Sequence, residues 1–213
     1  MSGAHPLALD LARGLARLGI DLGESAQARL LTYLELMRRW NRTYNLTAID
    51  TPERMLTHHL LDSLAILPHI VEDRLLDVGS GPGLPGVPLA LARPGLELTL
   101  CESNGKKCAF MRQACIELGL GKVAVWQGRV ESFRGEAAFP QIVSRAFSDL
   151  AEFTRLTAPL LAPGGRWLAM KGVYPEAEIA ALDEIRVVRV VRLDVPGLGA
   201  ERHLIILDKE HTP

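Results

Sequence analysis

The sequence predicts an α/β fold, in which a seven-stranded, mostly parallel sheet ends in an antiparallel hairpin and follows an N-terminal helical extension. From about residue 73, short apolar runs alternate with amphipathic helical patterns, which is typical of strand–helix–strand units in a parallel sheet. Before that point, apolar residues recur at helical spacing. We therefore place residues 1–72 in a helical extension and residues 73–213 in the domain that contains the sheet.

Three helices are predicted in the extension. Apolar residues recur every three or four positions in two stretches, 7–18 and 30–37, and the second stretch leads to Trp40. Thr51 is a suitable N-cap. Pro52 after it suits the first position of a helix, where its missing N–H needs no partner. The third helix would run from Pro52 until Pro68 disturbs it.

Seven strands are expected after the extension, at 75–78, 96–101, 123–126, 142–143, 167–170, 187–195 and 204–207. Helical patterns at 85–92, 106–118 and 150–161 lie among the first five strands, so right-handed crossovers would join parallel strands there. Only residues 196–201 separate the last two strands. Because so short a link cannot hold a crossover helix, these two strands should form an antiparallel hairpin.

The composition indicates an ordinary globular protein. The 213 residues are 48% hydrophobic and 23% charged, and a chain of this length buries about 70% of its unfolded surface, so it needs no metal or disulfide for stability. No apolar run approaches the roughly 18 residues of a membrane span, and no signal-peptide pattern occurs. We therefore expect a cytoplasmic protein with no membrane partner. The three cysteines contain no Cys-x-x-Cys pair, which favours core packing over a metal site.

The central motif is a glycine-rich loop. Residues 75–86 have the sequence LLDVGSGPGLPG, with Gly79, Gly81 and Gly83 between a predicted strand and a predicted helix. Glycine permits positive φ and lets backbone N–H groups approach a ligand without an intervening side chain. The N-terminus of the next helix adds partial positive charge, which suits a carboxylate. The motif therefore predicts a binding site for a small-molecule cofactor.

Two cofactor classes fit this loop. Gly81, Gly83 and Gly86 also match the fingerprint of dinucleotide-binding proteins. Three details favour an S-adenosylmethionine-dependent methyltransferase instead: Asp77 two residues before Gly79, the uninterrupted alternation of glycines, and prolines at 82 and 85. Together with the five alternating strands and the terminal hairpin, these details predict the class I methyltransferase fold, which is Rossmann-like.

An acid after the second strand supports a cofactor that contains a nucleoside. Glu102 follows the predicted strand 96–101, about 20 residues beyond the loop. A carboxylate at this position can accept hydrogen bonds from both ribose hydroxyls of an adenosine. Because NAD and S-adenosylmethionine share this feature, Glu102 does not choose between them. The alternative interpretation of Glu102 is a solvated acid at a strand end.

The absence of certain motifs disfavours several classes of methyl acceptor. After the fourth strand the chain carries Ser144-Arg145-Ala146-Phe147, not the Asn/Asp-Pro-Pro-Tyr/Phe that is usual in methylation of exocyclic amines. All three cysteines lie around the second strand and its helix, which disfavours pyrimidine C5 methylation. Arg145 stands where ribose methylation would favour an acid. The class of methyl acceptor that these observations leave is a nucleophilic ring nitrogen. Guanine N7 fits because it has a lone pair and no proton to lose, so catalysis requires alignment more than a base.

Motifs spread from about residue 30 to 207 resemble the RsmG (GidB) family of bacterial ribosomal RNA methyltransferases. They are WNRTYNLT at 40–47, HLLDS at 59–63, the loop 77–86, RVE at 129–131, SRAF at 144–147, KG at 171–172 and ERHL at 201–204. Members of that family use S-adenosylmethionine to methylate guanine N7 in the 530 loop of 16S ribosomal RNA. The resemblance therefore implies this activity, with 16S rRNA or the small ribosomal subunit as partner and no metal.

The same resemblance implies which residues contact the cofactor: Gly79, Gly81, Gly83, Leu84, Glu102, Val130, Glu131 and Arg145. Glu102 would hold the ribose, and Val130 with Glu131 would flank the adenine. Arg145 would lie beside the methyl donor, facing the cofactor or the target base, and is the candidate catalytic residue. Position 102 is often aspartate in the family, so the longer glutamate alters the expected ribose geometry but not the role.

RNA binding requires a local basic surface, because a net charge of −1 provides no overall attraction. Any of the candidates could instead be a solvated surface group. They are Arg38, Arg39, Arg42, Asn45, Arg54, His58, His59, Arg129, Lys171 and Arg202.

Some residues and functions stay open from the sequence. His59 and Asp62, three residues apart on a predicted helix, could form a structural hydrogen-bonded pair. The sequence does not distinguish whether Trp40 and Tyr44 pack in the core or stack on bases. Two other functions also remain: a small-molecule class I methyltransferase, and a non-catalytic, cell-division-related binding module.

Overall fold

One seven-stranded sheet organises the part of the chain that the computed structural model describes, residues 5–135, 138–145, 147 and 149–209. Its order is β3-β2-β1-β4-β5-β7-β6. The strands are β1 (Arg74–Val78), β2 (Glu97–Glu102), β3 (Val123–Gln127), β4 (Phe139–Ser144), β5 (Leu161–Lys171), β6 (Ile185–Arg192) and β7 (His203–Lys209). Strands β1 to β5 run parallel, and β7 is antiparallel to both β5 and β6. The predicted parallel sheet with a terminal hairpin is confirmed.

The helices are α1 (Ala8–Arg17), α2 (Glu24–Tyr44), α3 (Pro52–Met55), α4 (Asp62–Leu64), α5 (Gly86–Ala92), α6 (Gly105–Glu117), α7 (Leu150–Thr157) and α8 (Glu176–Ala180). Short 3₁₀ turns occupy Leu67–His69, Val130–Ser132 and Ala158–Leu160. The sequence did not predict α8, which lies between β5 and β6. Its five residues are too few to show an apolar periodicity.

The third N-terminal helix differs from its prediction. It begins at Pro52, as expected, with Thr51 extended before it. It does not continue regularly, because a π-helical segment, Leu56–Leu61, joins α3 to α4. Such wide turns are rare and occur frequently at functional sites. This segment contains His58 and His59, so it places both histidines differently from a regular helix.

Two hydrophobic clusters pack against opposite faces of the sheet, because alternate residues of a strand point to opposite sides. Leu75 and Val143 belong to one cluster, together with Leu34 and Leu60 of the N-terminal helices. Their chain neighbours Leu76 and Ile142 belong to the other, with Leu150 and Phe153 of α7. The N-terminal helices therefore bury their apolar faces on the sheet. In the part of the chain that the structure describes, no helix is long and apolar enough to cross a membrane.

Candidate active site

The glycine-rich loop runs from β1 to α5 and is tied to strand β2. The N–H groups of Gly79 and Ser80 donate to the carbonyl of Cys101, at 2.9 and 3.2 Å. The N–H groups of Gly83 and Leu84 donate to the carbonyl of Ser80, both at 2.8 Å. These bonds close a tight turn at the carboxyl edge of the parallel strands, which is where open α/β sheets bind ligands.

Three glycines of the loop have positive φ: 71° at Gly79, 57° at Gly81 and 98° at Gly83. L side chains rarely adopt this conformation. A Cβ at Gly83 would lie 2.6 Å from Cγ2 of Val87, so packing against α5 also requires glycine there. A Cβ at Gly81 would meet no atom within 4 Å. Gly81 therefore borders open space, which a side chain at this position would fill.

Asp77 lies beneath the loop, where it binds the start of α5. Its side chain is fully buried, and Oδ2 accepts the N–H of Gly86 at 2.9 Å. Oδ1 is buried without a hydrogen-bond partner among the described residues. Burial raises the pKa of Asp77 to about 7, although the Gly86 N–H and nearby Arg145 oppose the rise. The first N–H of α5 is therefore already bound by a carboxylate of the protein itself.

Glu102, the last residue of β2, connects the loop to the start of α6. Its carboxylate is buried, and Oε2 accepts the N–H of Gly81 at 2.9 Å while Oε1 accepts the N–H of Asn104 at 2.7 Å. A carboxylate oxygen can accept two hydrogen bonds. Oε1 also accepts the hydroxyl of Ser103, at 3.4 Å. Oε2 therefore keeps capacity for one further donor, such as a hydroxyl group.

A cavity of about 310 Å³ lies over the loop, within the range of roughly 300–1,000 Å³ that is usual for small-molecule sites. We call it the loop cavity. It brings together six of the predicted site residues, Gly79, Gly81, Leu84, Glu102, Arg145 and His59. Gly83, Val130 and Glu131 do not line it. Val130 packs in the hydrophobic cluster on the α7 face, and Glu131 is exposed in the turn Val130–Ser132.

A second cavity, of about 340 Å³, adjoins the first and shares His59 and Arg145 with it. We call it the cationic cavity. Its wall is completed by Ile49, His58, Asp62, Met170, Lys171, Gly172 and Arg202. Four of the predicted RNA-binding residues, His58, His59, Lys171 and Arg202, thus meet in one place. They do so beside the predicted catalytic Arg145.

Asp62 bridges two arginines in the wall of the cationic cavity. Its side chain is 1% exposed. Oδ2 lies 3.1 Å from Nη1 of Arg145, and Oδ1 lies 2.8 Å from Nε of Arg202. Arg145 Nη1 also donates to the carbonyl of His58, and Arg202 Nη1 donates to the carbonyl of Glu201. One buried carboxylate therefore orients two partly exposed guanidinium groups that belong to distant parts of the sequence.

His59 lies between the two cavities and is a neutral residue at physiological pH. Its Nε2 is 3.0 Å from Oγ1 of Thr47, and Nδ1 is buried without a partner in the described ranges. Burial, reinforced by the positive charge of Arg145, lowers the pKa of His59 to about 4. No hydrogen bond joins His59 to Asp62 among the described residues. The interpretation of these two residues as a hydrogen-bonded pair is therefore wrong, because Asp62 binds arginines instead.

Lys171 reaches the cationic cavity from the end of β5. Its Nζ donates to Glu178 of α8 at 2.6 Å and to the carbonyl of Phe147 at 3.2 Å. Lys171 is therefore partly neutralised by Glu178, whereas Arg145 and Arg202 share a single carboxylate. Ala146 of the motif at 144–147 lies outside the described residues.

The remaining RNA-binding candidates line neither cavity. Arg42, Asn45, Arg54 and Arg129 are exposed. Arg38 pairs with Glu35 at 2.7 Å, and Arg39 lies 3.6 Å from Glu117.

The two aromatic residues near the end of α2 differ in their surroundings. The rings of Trp40 and Tyr44 are 5.2 Å apart. Trp40 packs against Phe110, whereas Tyr44 is 41% exposed. Trp40 is therefore partly buried against the core, and Tyr44 remains available at the surface.

Sequence reasoning missed several residues of the site. Leu46, Thr47 and Lys107 line the loop cavity. The first two lie within the motif at 40–47, which could have indicated them. Tyr33 of α2 is fully buried, and its hydroxyl donates to the carbonyl of Pro82 at 2.7 Å, so α2 helps to fix the loop. Nothing local in the sequence indicates this contact. No group of three or more potential metal ligands occurs among the residues that the structure describes.

The strand order and the glycine loop define the fold of class I methyltransferases, and solved structures agree. An S-adenosylmethionine-dependent methyltransferase from Geobacter sulfurreducens, determined with S-adenosyl-L-homocysteine, matches with a TM-score of 0.55 at 15% identity, over 82% of this chain and 98% of that chain. TrmN from Thermus thermophilus matches with a TM-score of 0.57 at 18% identity, over 81% and 52%. At such low identities these matches concern the fold alone.

Sequence comparison identifies the family. The model of the GidB family, described as rRNA small subunit methyltransferase G, matches residues 26–205. Proteins named ribosomal RNA small subunit methyltransferase G are similar over nearly their whole length. The one from Neisseria meningitidis serogroup A is 54% identical over 93% of this chain and 97% of its own. The one from Aromatoleum aromaticum is 56% identical over 95% and 99%. The chain belongs to the GidB family of rRNA small subunit methyltransferases.

Proposed function

We propose that this protein transfers a methyl group from S-adenosylmethionine to guanine N7 in the 530 loop of 16S rRNA, acting in the cytoplasm on the rRNA or the small subunit. Membership of the GidB family supports an rRNA substrate. The observation that carries the proposal is the pair of adjoining cavities, because donor and acceptor would meet at the residues that they share, Arg145 and His59.

The residues of the loop cavity fit S-adenosylmethionine. The space beside Gly81 is open, and Oε2 of the buried Glu102, which accepts only the N–H of Gly81, can still accept a hydroxyl hydrogen bond. Glu102 would hold the ribose, and Gly79, Gly81 and Leu84 would line the cofactor. Val130 and Glu131 follow β3 beside Glu102, whose carbonyl accepts the N–H of Gly128 at 3.0 Å, and they would flank the adenine. When bound, the cofactor supplies a methyl group on a positively charged sulfur.

The cationic cavity fits an acceptor that needs no base. Its buried carboxylate, Asp62, has both oxygens bound to arginines. The low pKa of His59, about 4, makes that residue a weak proton acceptor at neutral pH. Guanine N7 attacks with its lone pair and has no proton to lose, so the chain must mainly hold the base in line with the methyl group. Arg145, at the boundary of the two cavities, is the residue we propose to contact the reacting base.

RNA outside the target base would contact the basic residues around the cationic cavity and on the N-terminal helices. We propose that residues 1–72 form an extension that presents this surface beside the methyltransferase domain, residues 73–213. Arg202 and Lys171 at the cavity, and the exposed Arg42, Asn45 and Arg129 beyond it, are the proposed contacts. Arg38 and Arg39 are weaker candidates because carboxylates neutralise them.

Labelled methyl transfer tests the proposal. Small subunits from cells that lack this gene are incubated with the protein and labelled S-adenosylmethionine, and the modified nucleotide is mapped. We expect one methyl group on a guanine N7 of the 530 loop. Methylation of an isolated metabolite but not of rRNA would indicate a small-molecule methyltransferase. Failure to bind S-adenosylmethionine would indicate a non-catalytic module, and micromolar binding of NADH would favour the dinucleotide interpretation of the loop.

A further inference from the structure

The bridge between Asp62 and its two arginines leaves donors unused. Arg145 uses Nη1 for both of its hydrogen bonds, and Arg202 uses Nε and Nη1. Because a guanidinium carries five N–H groups, Nε and Nη2 of Arg145 and Nη2 of Arg202 remain without a partner among the described residues. Both side chains are 25% exposed and line the cationic cavity. The bridge therefore presents donors to the position that we propose for the acceptor.

The charge of the bridge selects the chemistry of its ligand. Two guanidinium groups and one carboxylate leave a net charge of +1, and every free group is a donor. Guanine presents O6 as an acceptor beside N7, whereas adenine presents an amino donor at the same position. Donors from the bridge would therefore fit guanine and oppose adenine. Because Arg145 also lines the loop cavity, the reacting base is favoured over a distant phosphate.

We infer that Asp62 is a positioning residue for methyl transfer, which holds Arg145 and Arg202 so that they donate to O6 of the target guanine and direct N7 towards the methyl group. This inference rests on the proposed function. Asp62 itself does not touch the base, because both of its oxygens are bound by arginines and its side chain is buried. Without its charge the two guanidinium groups would repel each other and lose their common anchor.

The test compares Asp62→Asn with wild type in labelled methyl transfer to small subunits that lack the modification. The amide keeps the shape but loses the charge that both arginines share. We expect kcat to fall about 10- to 100-fold, the usual consequence of losing hydrogen bonds to a charged group. The KM for subunits and the Kd for S-adenosylmethionine, measured by calorimetry, should change by less than about threefold, because bonds made to the base in the transition state are lost, not uniform binding.

Asp208→Asn is the matched control. Asp208 also binds an arginine through both oxygens, Arg186 at 3.0 and 2.7 Å, but it lines neither cavity. The same substitution there should leave kcat within about twofold of wild type. Circular dichroism and thermal melting establish that each variant is folded. If Asp62→Asn does not fold, Arg202→Gln replaces it, since Asp62 then keeps Arg145, and the same fall in kcat is expected.

A double variant tests the route of the effect. If Asp62 acts through Arg145, the combination of Asp62→Asn with Arg145→Lys should cost less than the product of the two single effects. Wild-type kcat in folded Asp62→Asn, or a raised KM with unchanged kcat, would overturn the inference, and the second result would indicate phosphate anchoring. Independent, multiplicative effects would also overturn it. If wild-type protein neither binds S-adenosylmethionine nor methylates subunits, the proposed function itself fails.

Discussion

The two adjoining cavities are built by different parts of the chain. One side of the loop cavity is a continuous segment, residues 79–84, whose turn is held by backbone hydrogen bonds and by positive φ at glycines. Side chains from elsewhere complete it: Leu46, Thr47, His59, Glu102, Lys107 and Arg145. The cationic cavity is built by side chains from separate segments, around residues 49, 58–62, 145, 170–172 and 202. In the loop cavity, the backbone conformation of the glycine loop determines the space for a ligand. In the cationic cavity, the charges of the side chains determine which ligand can bind.

This difference separates two kinds of failure. A side chain added to the loop occupies space that a ligand needs, so it should change cofactor affinity. A charge removed from the cationic cavity leaves the loop intact, so it should change turnover. Arg145 and His59 line both cavities. Only substitutions of these two residues should therefore change both cofactor affinity and turnover.

The largest effect is expected for Gly81→Val. The open space beside Gly81 means that the isopropyl group would not collide with the protein but would occupy the loop cavity. Positive φ, 57° here, adds strain for a β-branched residue. We expect the affinity for S-adenosylmethionine to fall more than about 100-fold, or about 3 kcal/mol, in a protein that remains folded. Isothermal titration calorimetry measures it.

Gly119→Val is the control for the strain alone. Gly119 also has positive φ, 61°, with nothing within 4 Å of its Cβ, but it follows α6 away from the loop cavity. It should lose a similar amount of stability and keep wild-type affinity for the cofactor. Equal cofactor affinities in Gly81→Val and wild type would remove the loop from the proposed site.

Arg145→Ala should have the next largest effect, on turnover. Asp62 keeps its bond to Arg202 in this variant, so the buried carboxylate is not left alone. We expect kcat on small subunits to fall about 10- to 100-fold, while the melting temperature falls by only a few degrees. Arg186→Ala, which removes an arginine that is paired with Asp208 away from both cavities, controls for loss of an ion pair. Wild-type activity of Arg145→Ala would reduce Arg145 to a structural residue.

The same contrast explains what the sequence could predict. The glycines, Asp77 and Glu102 have roles that depend on strand–turn–helix geometry, and local spacing predicts such geometry. The parallel sheet follows similarly from the alternation of strands and helices, and the terminal hairpin follows from the short link before the last strand. The partners of Asp62 lie 83 and 140 residues away, so no local pattern could identify them. The π-helical segment Leu56–Leu61 was also missed, since its apolar spacing suits a regular helix.

A stability measurement tests the buried acid under the loop. Because its folded pKa is about 7 and its ordinary value 3.8, Asp77 keeps a proton in the folded protein that the unfolded chain releases between these values. Asp77 therefore makes the free energy of unfolding fall as pH rises from about 4 to about 7, by at most about 1.4 kcal/mol per pH unit. Above pH 7 this dependence ends. In Asp77→Asn it should be absent.

His59 has the opposite effect, so wild type and variant must be compared directly. Its pKa is about 4 in the folded protein and 6.5 ordinarily, so it makes stability rise with pH between these values. Urea denaturation at about pH 5 and about pH 8 gives the change for each protein. The difference between Asp77→Asn and wild type isolates Asp77. Identical pH profiles would show that Asp77 is ionised throughout.

The smallest effect, and the sharpest test of where RNA binds outside the cavities, concerns three arginines of α2. Arg42 is exposed and has no ion pair in the described part of the chain, whereas Arg38 and Arg39 lie beside Glu35 and Glu117. Arg42 also precedes Leu46 and Thr47, which line the loop cavity. Each phosphate contact contributes about −0.7 to the slope of log affinity against log salt concentration for single-stranded RNA. Arg42→Ala should therefore flatten the slope by about 0.7, and Arg38→Ala by less.

Filter binding to rRNA across a salt series measures both slopes, with unchanged cofactor affinity as the control. If the triple alanine variant of Arg38, Arg39 and Arg42 keeps the wild-type slope and methylation rate, α2 does not face the RNA, and the substrate approaches from the cationic cavity alone.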